Sequence, residues 1–139
     1  MFESYQLAYW GIWVIGTTIF IQAVVASIAH RRQSHYVPGI VDSNLSHSSF
    51  VFRSHRTFLN SLENVVMFFI PVAAAFASGM DIKWLTILIW TYAIARIIHM
   101  VLYYVIATEK NPSPRSYFYM IALISNLVLI IMLAIHLAK

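Results

Sequence analysis

Apolar residues run along the chain in four long blocks, separated by three shorter polar stretches. The first block, residues 7–29, carries no charge. A helix of about 20 residues crosses a hydrocarbon core roughly 30 Å thick, so this block predicts a membrane span. A cleaved leader is the competing reading, with Ser27-Ile28-Ala29 as the cut. The opening Met1-Phe2-Glu3-Ser4 lacks a basic region and the apolar run is too long for a leader, so the span is expected to stay. A polar segment from His30 to about His47, with Pro38, Gly39, Asp42 and Asn44, reads as an ordered loop.

The second span covers residues 59–78 and stops at Gly79, with Arg53, Arg56, Asn60 and Glu63 forming its polar front. A tight turn at residues 79–81 leads to the third, residues 84–107. Pro112 and Pro114 then suit a helix start near Arg115, opening a fourth span over residues 115–138. The expected fold is all-α, an integral membrane four-helix up-and-down bundle in one domain.

Composition agrees with lipid as the solvent: 60% of the 139 residues are hydrophobic and only 10% are charged. A soluble domain of this size could not hide that much apolar surface. The chain has no cysteine, which excludes disulfides, thiolate metal sites and a protein thiol nucleophile. Any thiol chemistry must use a thiol brought by a ligand. The net charge of +4 comes with no basic run longer than Arg31-Arg32, so no nucleic-acid partner is expected. The histidines lack metal-ligand spacing, and no metal is expected either. Loops one and three, with the adjoining helix ends, hold Arg31, Arg32, Arg53, Arg56, Lys110 and Arg115, against Lys83 and Lys139 on the other side. The positive-inside rule then places those loops in the cytoplasm and both termini outside, in a bacterial inner membrane or the endoplasmic reticulum.

Several polar residues sit where lipid should reject them. Arg96 lies midway along the third span, where a charge costs about 2.5–3.5 kcal/mol on insertion scales. Tyr92, His99 and Tyr103 share its stripe at i−4, i+3 and i+7. On the second helix Arg53, Arg56, Asn60 and Glu63 share a face, and on the fourth Arg115, Tyr119 and Asn126 do so, with Ser116 beside the first. The stripes predict a cavity lined by arginines and open to the cytoplasm. Positive-inside anchors and a structural Glu63–Arg96 ion pair are the plainer readings of the same residues. Arginines in a partly dry site favour an anion, best a carboxylate gripped bidentately, and a nearby glutamate favours an amine on the same ligand. A small zwitterion with more than one carboxylate meets both demands, and lipid-side walls would admit an apolar second substrate.

The segment Arg56-Thr57-Phe58-Leu59-Asn60-Ser61-Leu62-Glu63 resembles the R-A-H-x-N-x-x-E signature of the membrane-associated proteins in eicosanoid and glutathione metabolism, the MAPEG family. Ala95-Arg96-Ile97-Ile98-His99, followed by Tyr103, resembles that family's A-R-x-x-H-x-x-x-Y. Arg115-Ser116 with Tyr119 resembles the R-S-x-x-x-Y of its prostaglandin E synthase and microsomal glutathione transferase branch, the tyrosine one place early. The resemblance covers the whole chain in length, spans and motif order.

It implies a homotrimer in the lipid bilayer with glutathione as co-substrate, bound between subunits near the cytoplasmic face. By position, Arg56, Asn60, Glu63, His99 and Tyr103 would hold the peptide frame, with Arg96 and Tyr119 on the same binding face. Arg31 or Arg32 and Arg53 would add anion contacts, and Arg115 and Ser116 would stand at the thiol as the catalytic pair. The implied activity is a glutathione transferase, with peroxidase activity as an extension, acting on a hydrophobic electrophile or lipid hydroperoxide. A non-catalytic lipid-binding scaffold of the same family and a small transporter are the alternatives. The chain departs from the pattern at Phe58, Leu59 and Ser61, and its helix-two proline is Pro71, with Met67 at the family position.

Overall fold

In the computed structural model, which describes residues 2–139, four helices follow one another: α1 (Phe2–Arg31), α2 (Phe50–Ala77), α3 (Ile82–Val105) and α4 (Pro114–Leu137). Met1, on which part of the leader question turns, lies outside the described residues. All four helices are long and apolar enough to cross a membrane. The chain is a multi-pass integral membrane protein of the expected all-α class.

The helix ends have identifiable causes. Gly79 takes a left-handed φ of +71°, closing α2, and Asp81 then caps α3 by accepting from the Lys83 N–H at 2.8 Å. Pro114 occupies the first turn of α4, behind Ser113. α2 begins at Phe50, ahead of the apolar span expected from residue 59, and takes in the polar front at Arg53 and Arg56 that the shared face predicts. Its first turns carry Arg53, Ser54 and Thr57, polar yet buried against protein, so hydropathy does not register them as part of the helix. Thr57 donates its hydroxyl to the Arg53 carbonyl at 2.7 Å and Ser54 donates to Val51 at 3.2 Å. α2 also runs on through Pro71.

α2 and α3 form the middle of the bundle. α1 packs on both, α4 packs on both, and α1 and α4 do not meet among the described residues. The core is thin and dense: the Phe68 and Tyr92 rings stack at 3.9 Å, beside Val72, Leu85, Ile89 and Leu129. Gly11 lets α1 approach α3 at Ile89, and the Trp90 Nε1–H donates to the Leu7 carbonyl at 2.9 Å. Ser125 on α4 donates to the Leu88 carbonyl at 2.9 Å, and His136 Nε2–H donates to Ser78 at 3.0 Å. Phe20, Ile70 and Val105 point outwards with many other large apolar side chains, as lipid requires.

Candidate functional site

The polar residues gather at the end of the bundle where α1 finishes and α2 and α4 begin. Two clusters form there within one protomer. In the first, Arg96 on α3 turns towards α2. Its Nη2–H groups donate to Asn60 Oδ1 at 2.8 Å and Ser61 Oγ at 2.9 Å. A guanidinium at this depth takes the nearest acceptors, and those lie on α2. Its Nε and Nη1 are buried without a hydrogen-bond partner among the described residues, next to a cavity of about 10 Å³ between α1, α2 and α3. The alternative of a Glu63–Arg96 ion pair is not realised: Glu63 lies exposed on the outer face of α2. Arg56 is half-buried and makes no hydrogen bond or ion pair with a described residue.

The second cluster joins the end of the first loop, α3, the third loop and α4. Arg53 is a clamp. Its Nη1–H groups donate to the His47 and Ser48 carbonyls at 2.7 and 3.0 Å, and Nη2–H donates to Tyr104 at 3.2 Å. That bonding ties the loop to the end of α3 and leaves a buried Nε without a partner among the described residues. His47, so placed, reaches two ways. Its Nδ1 lies 2.7 Å from Glu109 Oε2 and its Nε2 lies 3.0 Å from Tyr103 Oη. The His47 backbone N–H donates to Glu109 Oε1 at 3.0 Å. That bond, with the ring contact next in weight, holds the exposed Glu109 carboxyl below its ordinary value of 4.5.

Arg115 lies across the Tyr103 ring, 4.1 Å from its centroid, in cation–π contact. One of its Nη2–H groups donates weakly to the Thr108 carbonyl at 3.3 Å, and Nη1 is buried and unpartnered among the described residues. His99 packs edge-on to Tyr103, with Tyr119 of α4 beyond it. Ser116 is engaged in the α4 cap: its Oγ accepts from the Ser113 N–H at 3.2 Å and shares a 3.1 Å bond with the Ser113 hydroxyl. Its proton is available to a ligand only when Ser113 donates.

Arg31 and Arg32 are exposed at the end of α1. Arg31 lines a separate cavity of about 230 Å³ between α1, the first loop and α2, walled by Ala23, Ala26, Val51 and Phe58. The structure therefore brings together Tyr103, His99, Arg115 and Tyr119, ties Ser116 to Ser113 in the α4 cap, sets Asn60 with Arg96, and leaves Arg31, Arg32, Arg56 and Glu63 apart within one protomer. His47 and Glu109 escaped the sequence reading, because a contact across 62 positions between two loops leaves no periodic trace.

Chemically, the second cluster offers a guanidinium whose Nη1 has no hydrogen-bond partner among the described residues, resting on a phenol ring, with a carboxylate–imidazole pair hydrogen-bonded to the phenol. An enclosed, unpartnered guanidinium N–H is a site for an anion. A protein-family model described as MAPEG family matches residues 7–135. No curated protein and no solved structure matches the chain.

Proposed function

The chain belongs to the MAPEG family, and from that premise we propose that it is a membrane glutathione transferase, extending to peroxidase chemistry on lipid hydroperoxides. The observation that carries the reading is Arg115, whose Nη1 is buried and without a hydrogen-bond partner among the described residues while its guanidinium rests on Tyr103. Glutathione is consumed as a substrate and supplies the thiol that this cysteine-free chain lacks. The donors fit it: a free thiol has a pKa of about 8.5, and a guanidinium alongside favours the ionised form. Each unit by which the thiol pKa falls is worth about 1.36 kcal/mol, or tenfold in the ratio of thiolate to thiol.

The residues divide the work. Arg115 stabilises the sulfur anion, with the Ser116 hydroxyl as a second donor when Ser113 donates to it. Asn60, held by Arg96, together with His99, Tyr103 and Tyr119, orients the peptide. Arg56 and Glu63, which make no hydrogen bond or ion pair with a described residue, are left for the ligand's charged ends. A carboxylate at bilayer depth on an outer face calls for protein cover, and α1 and α4 leave each other's flanks open. Three copies, the family's usual assembly, provide such cover and would bring Arg31 or Arg32 of a neighbour to the site. The arginine-rich end faces the cytoplasm on this reading.

The test is turnover of the detergent-solubilised protein with glutathione and a dinitrohalobenzene or cumene hydroperoxide. Arg115→Ala is expected to lose at least about tenfold in rate, the effect of one thiol pKa unit. An intact, trimeric wild type that turns over none of a panel of electrophiles and hydroperoxides overturns the proposal. A second reading, a non-catalytic lipid-binding member, draws on the apolar cavity of about 230 Å³ beside Arg31. It predicts lipid binding with no glutathione binding in titration calorimetry.

A further inference from the structure

His47 and Glu109, both outside the motifs, join Tyr103 in a hydrogen-bonded chain that ends at the candidate thiol site. Glu109 Oε2, His47 Nδ1, His47 Nε2 and Tyr103 Oη follow one another at 2.7 and 3.0 Å, and Arg115 covers the Tyr103 ring at its far end. The protonation pattern along it is determined by which groups can donate. Glu109 is ionised at neutral pH and can only accept, so His47 Nδ1 carries the hydrogen. Where His47 carries no second hydrogen, its Nε2 lone pair faces Tyr103 and the Tyr103 hydroxyl is the donor. The lone pairs of Tyr103 Oη are thereby left to accept a hydrogen from a ligand.

We infer that Glu109, His47 and Tyr103 form a proton-accepting relay for the thiol, with His47 as the base and Glu109 as its positioning residue. The inference rests on the glutathione reading above and deepens it. Tyr103 Oη takes the thiol proton as its own O–H proton passes to His47 Nε2. The S–H and Tyr103 O–H bonds break while a new Tyr103 O–H and a His47 N–H form. No electron is transferred, and the result is a sulfur anion beside Arg115 and an imidazolium beside the Glu109 carboxylate. The imidazolium then returns its proton to solvent on the exposed Glu109 side, or to an oxygen anion formed on the second substrate.

The surroundings favour this assignment. His47 is held in place by Arg53 through its carbonyl, by Phe52 edge-on at 4.9 Å, and by the stacked Tyr103 ring at 5.8 Å. The charged and titratable groups facing the relay are Glu109 from the third loop, Arg53 from α2, Tyr103 and His99 from α3, and Arg115 from α4. Glu109 is the one carboxylate among them, so it is the group that offsets the imidazolium charge.

Two measurements test the relay on the full-length protein in micelles. Nitrogen-15 spectra of the labelled imidazoles, with no glutathione added, are expected to show His47 protonated at Nδ1 and accepting at Nε2. A hydrogen on Nε2 of neutral His47 overturns the relay whatever the enzyme does. The second measurement is the pH profile of turnover and of the ultraviolet thiolate band of bound glutathione, in wild type, His47→Gln and Tyr103→Phe. Both variants are expected to raise the midpoint of thiolate formation by about one unit, a tenfold loss of rate near neutrality. Their rates recover towards wild type above that midpoint, and in His47→Gln the KM for glutathione stays within about twofold, well under the tenfold that one pKa unit represents. Losses equal at every pH, or profiles like wild type, overturn the relay while leaving the transferase reading intact. A wild type with neither thiolate band nor turnover overturns the transferase reading, and the relay as a thiol base with it.

Discussion

Replacing Gly11 by alanine places a Cβ 2.5 Å from Ile89 Cγ2 and 3.3 Å from Trp90 Nε1. Carbon atoms prefer separations of about 3.5–4.0 Å, so α1 and α3 must part by roughly 1 Å at the point where they are closest. Ile89 cannot easily give way, because it is wholly buried and its branched Cβ leaves essentially one side-chain rotamer in a helix. Overpacking of this kind costs about 1–3 kcal/mol. Alanine in place of glycine returns about 1 kcal/mol of helix propensity. Parting the helices also weakens the 2.9 Å Trp90–Leu7 bond, so the sum is a net loss of about 1–2 kcal/mol. Gly16, on the same helix, has nothing within 4 Å of its would-be Cβ, and Gly16→Ala is expected to stabilise by up to about 1 kcal/mol. Equilibrium unfolding in mixed detergent micelles, followed by circular dichroism, reads both. A Gly11→Ala protein as stable as Gly16→Ala refutes the close approach.

Arg53→Met removes the donor from three carbonyls at once and is expected to cost about 2–4 kcal/mol in the same unfolding assay. It should also expose residues 42–48 to limited proteolysis, and a protease-resistant loop would show that something else holds it. The pH dependence of unfolding carries a Glu109 signature. The folded carboxyl sits below its ordinary 4.5, so its contribution is complete above that pH and fades as acidification passes through the folded value. Glu109→Gln is therefore expected to flatten the melting-temperature curve on the acid side of pH 4.5. Curves of equal slope in variant and wild type would contradict that expectation.

The spans were legible because lipid imposes a long apolar run on each helix, and Gly79 and Pro114 bracketed two of their ends. The front of α2 was legible only in part: the shared face of Arg53, Arg56, Asn60 and Glu63 puts them on the second helix, while an apolar count starts the span near residue 59 because Arg53, Ser54 and Thr57 are polar though buried. Periodicity put Arg96 on the correct helix and at the correct depth without revealing its acceptors. Asn60 stood in a quoted motif, while Ser61 was noted only as a departure from a family pattern. Arginine stripes suggested one chamber because helical phase says which residues share a face and nothing of where a long, flexible side chain ends. Within one protomer Arg53 and Arg96 both turn to satisfy nearby acceptors. The His47–Glu109 contact depends on how two loops meet above the bundle, which neither propensity nor spacing encodes.

Only residues 78–81 separate α2 from α3. That brevity bears on biogenesis: the two helices can leave the translocon as a paired hairpin, with the Arg96 guanidinium already matched to Asn60 and Ser61. The third span then never enters the bilayer as a lone rod carrying a bare cation. A long flexible insert between Ser78 and Asp81 would separate the partners in time, and integration of α3 should fail before any loss of catalysis could be measured.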